Sequence, residues 1–300
     1  MKKLAIFLGL AILGTAIWYF LIKSHDYQVT FEVKTFPGEV NQIIKTWGKT
    51  QEGSKILNEK PISELTQQLH FADSTHIYQW EITSIHDSLS KVRVLAKDKD
   101  HSFQNKISIP FSDTDFEKRT RMTLLDFVDK LNEHIKNFRV EVVGEEEIPT
   151  TFCACTNVKS TQIGKANGMM RDFPLLTSFL AKNNVPLNGS PFLEVTEWQK
   201  GKDSLEFNFC FPIVQSEILP EHPELSYRTL YGKKAIKAIY NGNYISSDRA
   251  WYALLDYAKK NNIEVSELPV EVFYNNPNMG GNTLNWKAEI FMPLKAPIDE

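Results

Sequence analysis

Leu175-Leu-Thr-Ser-Phe-Leu-Ala-Lys-Asn-Asn-Val185 recurs 78 residues later as Ala253-Leu-Leu-Asp-Tyr-Ala-Lys-Lys-Asn-Asn-Ile263. Pro191 and Pro269 keep the same offset, and each opens a strand-like run. Each copy has the order strand, helix, strand, strand. This order predicts a duplicated α+β unit, because repeats bury their apolar faces against one another. We expect the two copies to share a groove.

The second copy also carries three short motifs. These are Tyr240-Asn-Gly-Asn-Tyr244, Glu271-Val-Phe-Tyr274 with Pro277, and Trp286-Lys-Ala-Glu-Ile-Phe-Met-Pro293. With the repeat, they resemble the gyrase-inhibitor-like (GyrI-like) domain of SHS2 type, which is also the effector-binding domain of AraC- and MerR-type regulators. That family often has histidine where Tyr240 stands. The resemblance implies that residues 137–300 bind a small effector, and no helix-turn-helix accompanies the repeat in this sequence.

Alternation along the strands of the second copy predicts which side chains face the groove. Glu271 and Phe273 are expected on the groove side of one strand, and Glu289 and Phe291 on the groove side of the next. The equivalent positions of the first copy carry no charge. A charge confined to one copy is typical of a binding site rather than of a purely structural repeat.

An aromatic wall is expected beside these carboxylates, formed by Tyr231, Tyr240 and Tyr244. Such a site would bind an organic cation by charge pairing and cation–π attraction, and the resemblance also implies hydrophobic or cationic ligands. One alternative is structural, since aromatic residues favour strands. Another is enzymatic, because some GyrI-like proteins hydrolyse electrophilic toxins. Glu271 or Glu289 would then be the general base.

Nineteen uncharged residues, Leu4–Ile22, follow Met1-Lys2-Lys3. Because about 20 apolar residues cross a bilayer as a helix, this run predicts a transmembrane anchor over residues 1–23. No Ala-x-Ala cleavage site follows, which favours an uncleaved signal anchor over a cleaved signal peptide. The positive-inside rule then places the N-terminus in the cytoplasm and residues 24–300 outside, on the periplasmic side of a bacterial inner membrane.

Short alternating runs between polar turns predict an antiparallel sheet in residues 24–136. The runs are Tyr27–Val33, Leu65–Phe71, Ile77–Ile85, Lys91–Ala96 and Lys106–Phe111. Pro37 begins a short helix, and Asp113 or Thr114 caps a long one. This order, with Phe36-Pro-Gly-Glu-Val40 at the entry, resembles the helix-grip fold of the START-like (SRPBCC) superfamily. The resemblance implies a hydrophobic cavity between sheet and long helix, and a filled core is the alternative.

Composition and missing motifs exclude several functions. The chain has 34 basic and 37 acidic residues without a basic stripe, so nucleic acid is not an expected partner. It has no Walker loop and no Gly-x-Ser-x-Gly elbow, and its histidines lack metal-ligand spacing, so we expect neither cofactor nor metal. Cys153, Cys155 and Cys210 are expected to be buried, unbridged residues. The sequence therefore favours a membrane-anchored protein that binds a small molecule, with any protein partner unknown.

Overall fold

The computed structural model describes residues 2–60, 62–86 and 88–295. The chain divides into two compact units, Met1–Glu133 and His134–Glu300. Each unit packs helices on one antiparallel sheet, so the α+β class expected from the sequence is confirmed.

The N-terminal helix is shorter than the sequence predicts. Helix α1 comprises Lys2–Ile17, and a π-helical turn over Trp18–Ile22 follows it. The 16 residues of α1 rise by ~24 Å, which is less than the ~30 Å hydrocarbon core of a bilayer. Among the residues that the structure describes, none forms a helix both long and apolar enough to cross a membrane. The predicted transmembrane anchor at Leu4–Ile22 and the single-pass topology based on it are therefore wrong.

The first unit contains a five-stranded sheet in the order β1-β5-β4-β3-β2. Its further elements are β1 (Tyr27–Val33), α2 (Pro37–Gly48), β2 (Lys55–Lys60), β3 (Glu64–Phe71), β4 (Ser74–His86), β5 (Leu89–Asp98), α3 (Ser102–Ser108) and α4 (Asp115–Ile135). Pro37 stands at the start of α2, as predicted, because its fixed φ suits the first helical turn. Thr114 caps α4 by accepting a hydrogen bond from the Glu117 amide at 3.1 Å.

Two local predictions in the first unit are wrong. Lys106–Phe111 was expected to be a strand, but α3 and a turn occupy this stretch, and strand β2 was not anticipated. The helix forms because Asp98 accepts hydrogen bonds from the amides of Asp100 and His101 and from the Asn105 side chain. These bonds close the chain into a turn directly after β5, which the alternation of Lys106-Ile-Ser-Ile does not reveal.

Aromatic side chains fill the space between the first sheet and α4. The rings of Trp80 and Phe127 are 4.9 Å apart, and Trp47 contacts both rings at 6.3 and 5.4 Å. Trp80 and Phe127 have no exposed surface. Of the two alternatives for this region, the packing favours the filled core over the open cavity. The START-like assignment stays a prediction.

The second unit contains an eight-stranded sheet in the order β10-β7-β9-β8-β12-β13-β11-β6. Its elements are β6 (Phe138–Ile148), β7 (Thr151–Ser160), α5 (Lys165–Lys182), β8 (Phe192–Gln199), β9 (Ser204–Pro212), β10 (Ser226–Leu230), β11 (Lys233–Gly242), α6 (Arg249–Lys260), β12 (Val270–Phe273) and β13 (Lys287–Pro293). The halves β7-β9-β8 and β12-β13-β11 are arranged symmetrically about the β8–β12 pair. The duplication expected from the sequence is thus present in the fold.

Equivalent residues of the two copies adopt the same local geometry. Asn184 and Asn262 end their helices with φ angles of 54° and 55°. Across the centre of the sheet, the Val195 amide donates to the Pro269 carbonyl at 3.0 Å, and the Phe273 amide donates to the Pro191 carbonyl at 2.9 Å. The two donors, Val195 and Phe273, are 78 residues apart, and so are the two acceptors, Pro191 and Pro269. Each bond is therefore the repeat equivalent of the other, and a local twofold axis passes between β8 and β12.

Cys155 and Cys210 form a disulfide, against the expectation that all three cysteines are unbridged. The two residues lie directly opposite each other on β7 and β9. They are 55 residues apart in the chain. An odd number of cysteines does not indicate which two of them pair, and only the strand register shows that Cys155 and Cys210 lie together. Cys153 is buried with a free thiol and lies two residues from Cys155, on the same face of β7.

Candidate functional site

Glu271 lies at the centre of the duplicated sheet, where it pairs with Leu193, its own counterpart in the first copy. The Lys165 Nζ atom donates to the Glu271 Oε1 atom at 2.7 Å and to the Ser247 Oγ atom at 2.6 Å. The Ser247 hydroxyl in turn donates to the Glu271 Oε2 atom at 2.6 Å. Both charged side chains are fully buried, at 0% exposure.

Elements from both copies assemble this cluster. Glu271 belongs to β12, Lys165 is the first residue of α5, and Ser247 lies in the turn before α6. The Trp251 ring, on the first turn of α6, lies with its centroid 4.9 Å from the Lys165 Nζ atom. The sequence analysis missed Lys165, because a lysine at a helix start is normally solvated. Its role depends on its ion pair with Glu271, which lies more than 100 residues further along the chain.

The cluster presents the contacts that an organic cation would need, namely a carboxylate and an aromatic face. The chain's own ammonium group makes both contacts. A buried ion pair of this kind persists only when hydrogen bonds satisfy the remaining polar atoms, as Ser247 does here. In this conformation, the carboxylate predicted to receive a ligand is therefore satisfied from within the protein.

Glu289 lies on the opposite face of the sheet from Glu271. In the register of β12 and β13, Glu271 pairs with Ile290, whereas Glu289 pairs with Val272. Paired residues share a face, so the expectation that both glutamates line one groove face is wrong. Alternation separates the two faces of a strand correctly, but it does not tell which face of β12 the helices cover.

The surroundings of Glu289 are polar. Its carboxylate accepts hydrogen bonds from Lys287 Nζ at 2.8 Å and from the Tyr274 hydroxyl at 3.0 Å, and Lys237 Nζ lies 3.2 Å away. Partial burial acts to raise the pKa of Glu289, but these three donors outweigh it and hold the pKa below its ordinary value. Burial, followed by the bond to Glu289, raises the pKa of Tyr274 to about 12.

The predicted aromatic residues are divided between different environments. Tyr240, Tyr244 and Phe273 are buried in the core under the helices, where the rings of Tyr244 and Phe273 are 4.8 Å apart. Phe291 is buried in a separate apolar cluster on the other face. Tyr231 is 74% exposed. The structure does not bring these five side chains and the two glutamates into one wall.

A groove of about 570 Å³ opens beside β8 and the end of β13. Its apolar lining comes from Val195, Leu268 and Leu294, and its charged lining includes Lys233 and Lys295. It also includes Glu194, which is bound to the Arg228 guanidinium at 2.9 Å. The sequence analysis did not anticipate this groove, because its lining is spread over residues 194–295.

A smaller, polar cavity of about 230 Å³ lies in the first unit, beside His76, Asp98 and Arg119. The ring of His76 is hydrogen-bonded through Nε2 to Ser74 Oγ at 3.0 Å and through Nδ1 to the Tyr78 hydroxyl at 3.3 Å. Burial lowers the pKa of His76 to about 4. The imidazole is therefore neutral at physiological pH.

Comparison with known proteins gives structural neighbours alone. No family model and no curated protein matches the sequence. The EcmrR C-terminal domain is 14% identical with a TM-score of 0.44, covering 53% of this chain and 99% of that one. A putative transcription regulation protein from Staphylococcus aureus MU50 is 14% identical with a TM-score of 0.36, covering 52% and 99%. SAV2435 bound to tetraphenylphosphonium is 12% identical with a TM-score of 0.37, covering 52% and 94%. At these identities and TM-scores, no argument about the family or the function of this chain rests on the neighbours.

Proposed function

We propose that the second unit binds a small amphipathic organic molecule, carrying an anionic group, in the groove beside β8 and β13. The observation that carries this proposal is the groove itself, whose volume of about 570 Å³ matches that of small-molecule sites. It combines an apolar lining from Val195, Leu268 and Leu294 with charged groups at its edge.

The two lysines of the groove are only loosely paired. The Lys233 Nζ atom is 3.9 Å from Glu194, and Lys295 Nζ is 3.7 Å from Glu264. Glu194 itself is held more closely by Arg228, at 2.9 Å. A ligand carboxylate can therefore pair with these ammonium groups without breaking a strong contact, while its hydrocarbon part covers the apolar lining.

A second candidate is the binding of an organic cation at Glu271. The carboxylate and the Trp251 ring already hold an ammonium group, which is the specific observation in its favour. A ligand cation would have to displace Lys165 and leave that lysine buried without its partner, which is costly. This second candidate therefore requires movement of the start of α5.

The hydrolase alternative receives less support from the geometry. A general base works best with a pKa near the working pH. The hydrogen bonds to Glu289 hold its pKa below the ordinary value. Glu271 is fully buried and ion-paired, so it does not face a substrate.

The two candidates are separated by thermal melting of the full chain with three probes: a medium-chain fatty carboxylate, its matched alcohol, and tetraphenylphosphonium. Groove binding predicts that the carboxylate stabilises the protein more than the alcohol does. Lys233→Gln and Lys295→Gln should each weaken binding of the carboxylate by up to about fivefold, since a charge pair with a partly exposed lysine contributes up to ~1 kcal/mol. Lys259→Gln, at an exposed residue of α6 outside the groove, is the charge-matched control.

A response to tetraphenylphosphonium that is lost in Glu271→Gln, without any response to the carboxylate, would replace the first candidate by the second. If none of the three probes changes the melting temperature at any soluble concentration, both candidates fail.

A further inference from the structure

Three sulfur atoms converge on one face of the second sheet. Cys153 and Cys155 lie on β7, and Cys210 lies opposite Cys155 on β9. The Cys153 Sγ atom is 3.4 Å from the Cys155 Sγ atom, which is bonded to Cys210. All three sulfurs lie within 4.8 Å of one another, and all three residues are at most 1% exposed.

One of the three separations, between Cys153 and Cys155, already matches that of sulfurs bound to one central atom. Sulfurs at about 2.3 Å from such an atom lie roughly 3.4–4.0 Å from one another, depending on how far the atom stands out of their plane. Cys153 and Cys155 already have this separation. Once the disulfide is reduced, rotation of the Cys210 side chain can move its sulfur away from Cys155 without a change of strand register.

The surroundings decide which central atom suits the site. The cysteines pack in an apolar cluster with Phe192, Leu230, Val270 and Phe291. The nearby Arg228 is already neutralised by Glu194 at 2.9 Å. Three thiolates around a monovalent or divalent ion would leave a net negative charge in this apolar cluster, at a large desolvation penalty. Three thiolates around a trivalent centre give a neutral product.

We propose that the reduced three-cysteine site binds one trivalent thiophilic metalloid, with arsenite as the chemical class. A dithiol first reduces the Cys155–Cys210 bond, giving two thiols in the protein and one disulfide in the reductant. Arsenous acid, As(OH)3, then condenses with three protein thiols. Three As–S bonds form, three As–O bonds break, and three water molecules leave.

This condensation joins neutral reactants to a neutral product. All three cysteines are buried in an apolar cluster, where a charged thiolate is disfavoured before the reaction. The condensation is compatible with this because each thiol proton leaves with an arsenic-bound hydroxyl group as water. The proposal extends beyond ligand binding in the groove and does not depend on it.

The test uses the full chain, reduced with a dithiol that is then removed by gel filtration. On adding arsenite, native mass spectrometry should show the gain of one arsenic atom and the loss of three hydrogen atoms. Titration with a thiol reagent under denaturing acid quench should show that three reactive thiols fall to none. The unreduced protein, with its disulfide intact, should bind no arsenic.

Two variants and a second probe decide whether the third sulfur matters. Cys153→Ser and Cys153→Ala keep the cysteine pair and should bind arsenite at least tenfold more weakly. They should still bind phenylarsine oxide, which takes only two thiols. Equal arsenite binding by wild type and either variant would overturn the proposal. So would a wild-type complex that retains a free thiol, or a reduced protein that binds no arsenite.

Discussion

Lys165 and Glu271 form an ion pair of 2.7 Å with neither side chain exposed, and the two residues come from different copies of the repeat. The pair stands at the centre of the sheet, where β8 and β12 meet. This lysine makes the contact with Glu271 that the sequence analysis had assigned to a ligand, and its ammonium group also faces Trp251, which the sequence analysis had not named. The same buried pair therefore affects both the stability of the second unit and the access of a ligand cation to Glu271.

Breaking this pair from one side should strongly destabilise the second unit. Lys165→Met keeps the length and apolar stem of the side chain but leaves the Glu271 carboxylate buried without its partner. We expect a loss of about 3–5 kcal/mol in the free energy of unfolding, measured by urea denaturation. Lys259→Met, at the exposed end of α6, is the control and should change stability by less than about 0.5 kcal/mol.

The double variant Lys165→Met with Glu271→Leu removes both charges and should recover most of the lost stability. A double variant no more stable than Lys165→Met would show that packing, rather than the unpaired charge, accounts for the loss.

The repeat and most of the helices and strands could be predicted from the sequence, because they depend on periodicity within short stretches. Which face of strand β12 is buried could not be predicted in this way. Alternation places Glu271 and Val270 on opposite faces, and a carboxylate is normally assigned to solvent. In the structure, Glu271 is instead buried, because Lys165 at the start of α5 forms an ion pair with it. The partner of Cys155 likewise depends on the register of β7 and β9, which no local pattern encodes.

The symmetric helix ends should respond equally to substitution. Asn184 and Asn262 both adopt left-handed backbone with φ near 55°, a conformation that asparagine tolerates and β-branched residues do not. Asn184→Val and Asn262→Val should each lower stability by about 1–2 kcal/mol, and Asn→Gly at either position should not. Chemical denaturation of the four variants checks this. A valine tolerated at one position alone would show that the two helix ends do not share this constraint.

Acid should weaken the first unit through His76. Its pKa is about 4 in the folded protein, lowered by burial from an ordinary 6.5, so the unfolded chain takes up a proton first as the pH falls. The contribution of His76 to the free energy of unfolding is therefore fully present above pH 6.5. It is lost as the pH falls from 6.5 to 4, which lowers the free energy of unfolding by up to about 3 kcal/mol.

His76→Gln removes the titrating ring and should flatten this part of the stability–pH curve. NMR titration of the imidazole in the wild type gives the midpoint directly. A midpoint near 6.5, or an unchanged curve in the variant, would contradict the assignment of the acid sensitivity to His76.

Alkylamines should rescue a protein whose Lys165 side chain has been shortened. Lys165→Ala removes the ammonium group and leaves a cavity between Glu271, Ser247 and the Trp251 ring, which are the contacts that a cation requires. Ethylammonium or propylammonium should raise the melting temperature of this variant, and a concentration 100 times the dissociation constant adds ~2.7 kcal/mol. Wild type, whose own lysine fills the position, should not respond, and neither should Lys165→Ala with Glu271→Gln, which lacks the carboxylate. An equal response of all three proteins would mean that the amines act on the surface, and that the buried carboxylate is not a receptor for cations.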